Sequence, residues 1–169
     1  LLRMSVGNLY VRILAIPESP SAKQAVVQLG SLVAKSHKRT PQPAFVNSLG
    51  TTVGAWQIKR SRVSYFYSHL VLNSLYYLSH QNILGLGPRC EAVYAPYERL
   101  VEEKRQRIQH VRVRYPDSAS AQQALRLFHQ AYLPEHGKAR EDDQIHAFKV
   151  EDGWLGYQRR ASDLALIFG

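Results

Sequence analysis

Two kinds of chemistry are open to the polar residues of this chain, and one of them is thinly provided. Seven histidines (37, 69, 80, 110, 129, 136 and 146) are scattered with no His-x-x-x-His pair to set two ligands on one helical face. Asp142-Asp143-Gln144-Ile145-His146 gathers acids and a histidine. It becomes the metal centre of a small RNA-processing enzyme only if Asp142, Asp143 and His146 converge, and an acidic loop accounts for it otherwise. Cys90 has no base beside it in the sequence and reads as a buried, inert thiol. Gly85-Leu86-Gly87-Pro88 follows a helical pattern and lacks the Lys and Ser/Thr of a phosphate-cradling loop. The expectation is a protein that is not an enzyme, with no cofactor, no metal and no small-molecule substrate.

The second kind of chemistry, contact with a polyanion, is better supplied. The net charge is +9, with ten Lys or Arg against the single acid Glu18 in residues 1–90, and twelve of each sign in residues 91–169. Dispersed cations of this sort release counterions from phosphates, which favours RNA over an acidic small molecule. Lys59, Arg60 and Arg62 cluster at a junction of elements; Arg112 and Arg114 alternate along one strand face; Lys149, Arg159 and Arg160 lie near the end. Such groups position a protein on a folded RNA through phosphate and 2′-OH contacts. Taken singly, each is also what a solvated surface displays. Tyr65, Phe66, Tyr67, Tyr76 and Tyr77 are at strand and helix spacing, which assigns them to the core ahead of base stacking.

The elements that must position these residues can be read from periodicity. Residues 1–44 look like a basic arm: a short strand over Tyr10 to Ile16, a weakly amphipathic helix over Ala22 to Lys35, and a Thr40-Pro41-Gln42-Pro43 linker. Val46, Leu49, Val53 and Trp56 recur at helical spacing, predicting a helix over Phe45 to Lys59 in spite of Gly50 and Gly54. Val63, Tyr65 and Tyr67 then alternate as a strand, and at Ser68 the period switches to that of a helix, with Ser68 suited to the N-cap and Asn82 to the C-cap. Opposite charges at three- and four-residue spacing predict an exposed helix over Ala92 to Arg107. His110 to Tyr115 alternates as a strand with Arg112 and Arg114 on one face. Ser118 to Tyr132 is helical, Pro134 to Asp143 a loop, Ile145 to Val150 a strand, Asp152-Gly153 a turn and Leu164 to Phe168 a final strand. No repeat of 20 to 50 residues stands out.

A single cysteine excludes an intrachain disulfide and fits a reducing or matrix-like compartment. No apolar run approaches the roughly 20 residues of a membrane helix. The first 44 residues, basic, Ser-bearing and nearly acid-free, look like the region behind a removed organelle transit peptide.

From residue 45 onward the succession of segments resembles small-subunit ribosomal protein eight in its divergent mitochondrial form. The segments carrying the likeness are Val46 to Lys59, Phe66-Tyr67-Ser68-His69-Leu70, Leu72 to Leu78, Asn82-Ile83, Val113-Arg114-Tyr115, Asp152-Gly153-Trp154-Leu155, Tyr157 to Ala161 and Leu164 to Phe168. Phe66, His69 and Asn82 stand where the family has Pro, Lys and Gly, and Glu151 and Asp152 where its RNA-gripping turn has hydroxyls. The resemblance implies an α+β fold: an arm (1–44), a small α/β lobe (45–107) and a mostly antiparallel β lobe with a short helix at Tyr157 to Ala161 (108–169). It implies a structural constituent of the mitochondrial small ribosomal subunit that binds rRNA beside ribosomal proteins five and two, with Lys59, Arg60, Arg62, Arg112, Arg114, Lys149, Gly153, Arg159 and Arg160 as RNA contacts. The competing expectation is an accessory, non-catalytic subunit of another mitochondrial complex, in which the arm and aromatics make protein contacts.

Overall fold

A computed structural model describes residues 1–6, 9–37, 41–151 and 153–169. The expected linker at Thr40 and the expected turn at Asp152 thus fall wholly or partly outside the described residues, as do Lys38 and Arg39. The fold is α+β, and its chain divides into two compact units, Leu1–Pro43 and Ala44–Gly169.

The first unit is a hairpin followed by a helix. Strands β1 (Leu2–Val6) and β2 (Leu9–Ile13) pair antiparallel, and α1 (Pro20–Ser36) begins where the Ser19 side chain accepts from the Ala22 amide at 3.1 Å. Proline stands at its first position, where no amide hydrogen is needed. Val26 and Gly30 are the buried positions of α1; a Cβ on Gly30 would fall 2.3 Å from Leu2 Cδ2, so glycine lets helix and strand meet.

The second unit is built on one antiparallel sheet. Its strands are β3 (Thr52–Val53), β4 (Trp56–Ile58), β5 (Ser64–Phe66), β6 (Glu91–Val101), β7 (Lys104–Arg114), β8 (His146–Val150), β9 (Gly153–Arg160) and β10 (Asp163–Phe168). Their order is β3-β4-β6-β7-β10-β9-β8, with β5 also paired to β6. Helix α2 (His69–Leu75) starts at Ser68, whose hydroxyl accepts from the Leu70 amide, as its sequence predicts. Helix α3 (Ser118–Tyr132) occupies the predicted span and is capped by Asp117, which accepts from Ser120 N at 2.7 Å.

Register assigns the two faces of this sheet. On the first, Tyr94, Val111, Val113, Leu155, Tyr157, Leu164, Leu166 and Phe168 are buried beneath Ala121, Leu125 and Phe128 of α3 and beneath Leu72 and Leu84. On the second, Val93, Ala95 and Tyr97 are covered by Phe45, Val46 and Leu49. Each fully buried aliphatic or aromatic side chain contributes roughly 1.5–3 kcal/mol relative to exposure.

Three predicted helices are strands or turns instead. Residues 45–59 form a 3-10 turn (Ala44–Ser48) and the β3–β4 hairpin. Gly54 turns that hairpin at φ +58, a conformation L side chains disfavour, and β4 gains the edge of β6 as partner. Residues 91–107 are β6 and the start of β7, because Pro96 would break a helix and the charge pairs close across strands: Glu98 lies opposite Arg107, at 2.7 Å. Positive φ at Glu102 (47) and Glu103 (64) makes the tight turn between them. Tyr157 to Arg160 continues β9, and Ala161 opens the turn to β10 at φ 51, rather than forming a short helix. The expected boundary between lobes at 107/108 lies inside β7. Helix α2 ends at Leu75, where Asn73 takes over the backbone, accepting from Leu78 N (3.0 Å) and donating to Ser79 O (2.6 Å). Asn82 likewise closes a loop through Leu86 N and O rather than capping a helix.

Candidate nucleic-acid interface

Alternation along β7 to β10 places Lys149, Trp154, Gly156, Gln158, Arg160, Ala165 and Ile167 on the second sheet face, away from α3. Trp154 is 58% and Ile167 41% exposed, so Phe45, Val46 and Leu49 do not shelter this end of the face. Lys149 lies directly opposite Trp154 in the β8–β9 register. Arg160 stands six residues farther along β9, about 20 Å at roughly 3.3 Å per residue. An exposed indole with a cation directly across the strands can stack a base and hold an adjoining phosphate, and Arg160 adds positive charge at the far end of the strip. Glu151, in the adjacent turn, is exposed too and opposes this charge.

The nine residues expected to contact RNA fall into separate groups. Arg60 and Arg62 are exposed on a 3-10 turn, and with Lys149 and Arg160 they have no ion-pair partner among the described residues. Lys59 is half committed, its Nζ 3.4 Å from Glu98. Arg112 and Arg114 share the predicted strand face but are spent on structure. Arg112 reaches Asp163 (2.6 Å) and the Ser48 carbonyl (3.1 Å); Arg114 reaches Asp163 (3.1 Å) and Glu91 (3.8 Å). Both guanidiniums also lie over the Phe45 ring, at 5.6 and 4.4 Å, and so clamp the 44–48 turn to the sheet.

Arg159 is on the opposite face from Arg160. It donates to the Glu141 carbonyl (2.6 Å) and faces Asp143 (3.7 Å), with its side chain only 14% exposed. Gly153 has a backbone reason: at φ +137, a Cβ would come within 2.3 Å of the Gly169 oxygen. Trp154 is absent from the expected contacts, because a helix over 157–161 conceals the alternation that reveals it.

The remaining polar groups take other roles. Asp142 meets His146 at 2.6 Å, which holds its carboxyl below the usual range, whereas Asp143 turns to Arg159; among the described residues no three His, Cys, Asp or Glu gather as a metal site. Burial raises the Cys90 thiol above its ordinary value and disfavours the thiolate. Tyr157 is buried between α3 and the sheet, its hydroxyl 3.1 Å from His129 Nδ1 and accepting from Arg140 N at 3.0 Å. His110, beside Ile167 on the second face, is lowered to about 4 by burial and then by the Arg112 charge, so it adds no cation at neutral pH. No described helix is long and apolar enough to cross a membrane.

No protein-family model, curated protein or solved structure matches this chain.

Proposed function

We propose that this chain is a non-catalytic RNA-binding protein that holds single-stranded or looped RNA on the open face of β8, β9 and β10. The observation that carries the reading is Trp154, 58% exposed on an uncovered sheet face with Lys149 opposite it. Bases stack on such a ring for about 1–3 kcal/mol each, with little dependence on sequence. Arg60, Arg62 and Arg160 add charge that has no ion-pair partner among the described residues, and the surplus of the chain supplies long-range attraction.

The narrower proposal is small-subunit rRNA in the mitochondrial ribosome. Supporting it are the strand at 64–66, the helix begun by Ser68, the strand through Val113 and Arg114, and the terminal strand. Two segments behind the same resemblance, 46–59 and 157–161, are not helices, so the wider RNA-binding reading stands on more.

The purified chain titrated with short single-stranded RNA over a salt series tests the wider reading. Binding should quench Trp fluorescence and weaken steeply with salt; salt-independent binding, or none, rejects it. Sedimentation of an organelle lysate with and without ribonuclease tests the narrower one. Comigration with the small subunit that collapses after ribonuclease is expected. A ribonuclease-resistant position in another particle would instead favour the accessory-subunit reading, to which the exposed Trp154 and Ile167 lend themselves.

A further inference from the structure

The two units carry one local design. PESPSAKQAV (17–26) and PDSASAQQAL (116–125) agree at six of ten positions, with Glu/Asp and Val/Leu at two more, and each follows a Val-Arg-Ile or Val-Arg-Val strand. In both places the second strand of an antiparallel hairpin ends, a proline follows and a side-chain-capped helix begins: β1, β2 and α1 in one unit, β6, β7 and α3 in the other. The copies lie about 100 residues apart, outside the 20-to-50-residue periods of solenoid repeats.

What differs is the covering of the helix. In the second copy β7 has β10 along its outer edge and α3 lies over β9 and β10, leaving Phe128 0% and Ala124 3% exposed. In the first copy the counterpart of Phe128 is Leu29, 51% exposed, and Leu32 is 63% exposed. Strands β1 and β2 form a two-stranded sheet backed by α1, and among the described residues no strand lies along the outer edge of β2. The second copy therefore defines what the first lacks: an antiparallel strand along β2 and an apolar surface against α1.

We propose that the same hairpin–helix unit of a second copy of this chain fills that place. Antiparallel pairing of β2 with its twin is self-complementary about a twofold axis and gives a four-stranded sheet, with the two α1 helices side by side across Leu29 and Leu32. Charge favours this occupant. Ser21, Ala25 and Ser36 complete the face of α1 that bears Leu29 and Leu32, so that face is uncharged in an otherwise basic unit and offers a phosphate nothing. Arg12 is the one charge in β2, and like charges oppose each other only in a register centred on it.

Sedimentation velocity of the full 169-residue chain, without RNA, over a concentration series is the test. A monomer–dimer equilibrium is expected, abolished by L29K/L32K without change in the circular dichroism spectrum. Hydrogen exchange on the unaltered chain reads the same contact independently, with β2 amides gaining protection as dimer forms. A monomer at every concentration, a dimer that L29K/L32K leaves intact, or β2 amides that exchange equally fast in monomer and dimer overturns the proposal.

Discussion

Asp163 on β10 and Arg112 on β7 meet at 2.6 Å, and the other oxygen of that carboxylate holds Arg114 at 3.1 Å. One acid thereby pairs two of the cations that the alternation of β7 would have offered to RNA, and through the arginines over Phe45 it ties the 44–48 turn to the sheet.

Replacing Asp163 by Asn should therefore separate stability from binding. Arg112 loses its charge partner and the more exposed Arg114 keeps only Glu91 at 3.8 Å, at about 1–2 kcal/mol in all. The same change frees positive charge beside the open face, so RNA affinity should rise while the melting temperature falls. Thermal denaturation and RNA titration on D163N check both signs.

Trp154→Ala should do the reverse. More than half of the ring is already in water, so unfolding free energy should change by less than about 1 kcal/mol, whereas loss of stacking should weaken RNA by about 1–3 kcal/mol. K149A and R160A should each reduce the salt dependence by close to one released counterion. Equal RNA affinity in W154A would remove the open face from consideration.

Acid should loosen the second unit before its carboxylates titrate. His110 protonates near 6.5 when unfolded and only at about 4 when folded, through burial first and the Arg112 charge second. Folding thus expels a proton in that window: the stabilisation is complete above 6.5 and declines as pH falls from 6.5 to 4, by about 3 kcal/mol at most. The buried His129 is shifted in the same direction, again chiefly by burial. Melting temperatures measured across this range should fall less in H110Q than in the unaltered chain.

Removal of the Tyr157 hydroxyl should be costly out of proportion to its size. In Tyr157→Phe the Arg140 amide loses its acceptor and His129 Nδ1 its partner, inside a region where His129 is 1% exposed. A loss of about 1–3 kcal/mol is expected, read as a lower denaturation midpoint at unchanged slope.

The elements legible in the sequence were those whose pattern is local. Ser68 and Asp117 cap the helices they precede, α3 has an unbroken apolar stripe, and Val111 and Val113 alternate strictly with Arg112 and Arg114. The sequence determined by itself the α+β class, the strongly basic first ninety residues and the types of side chain available for RNA. Where a pattern admits two readings, tertiary structure chose. Opposite charges three or four residues apart look like helix pairs, yet Glu98 finds Arg107 across a hairpin, because β6 supplies Ala92, Tyr94 and Val93 to two cores at once. Val46, Leu49, Val53 and Trp56 are spaced for a helix, but the backbone of 52–58 gains more from the edge of the sheet than two glycines allow a helix to hold. Which cations remain free was decided in the same way. Asp163 engages Arg112 and Arg114 from about fifty positions away and Glu98 engages Lys59 from about forty, while Lys149, opposite Trp154, and Arg160, at the far end of β9, are left to solvent. Compensation of charge depends on distance in space, and that distance exists only once the strands are in register.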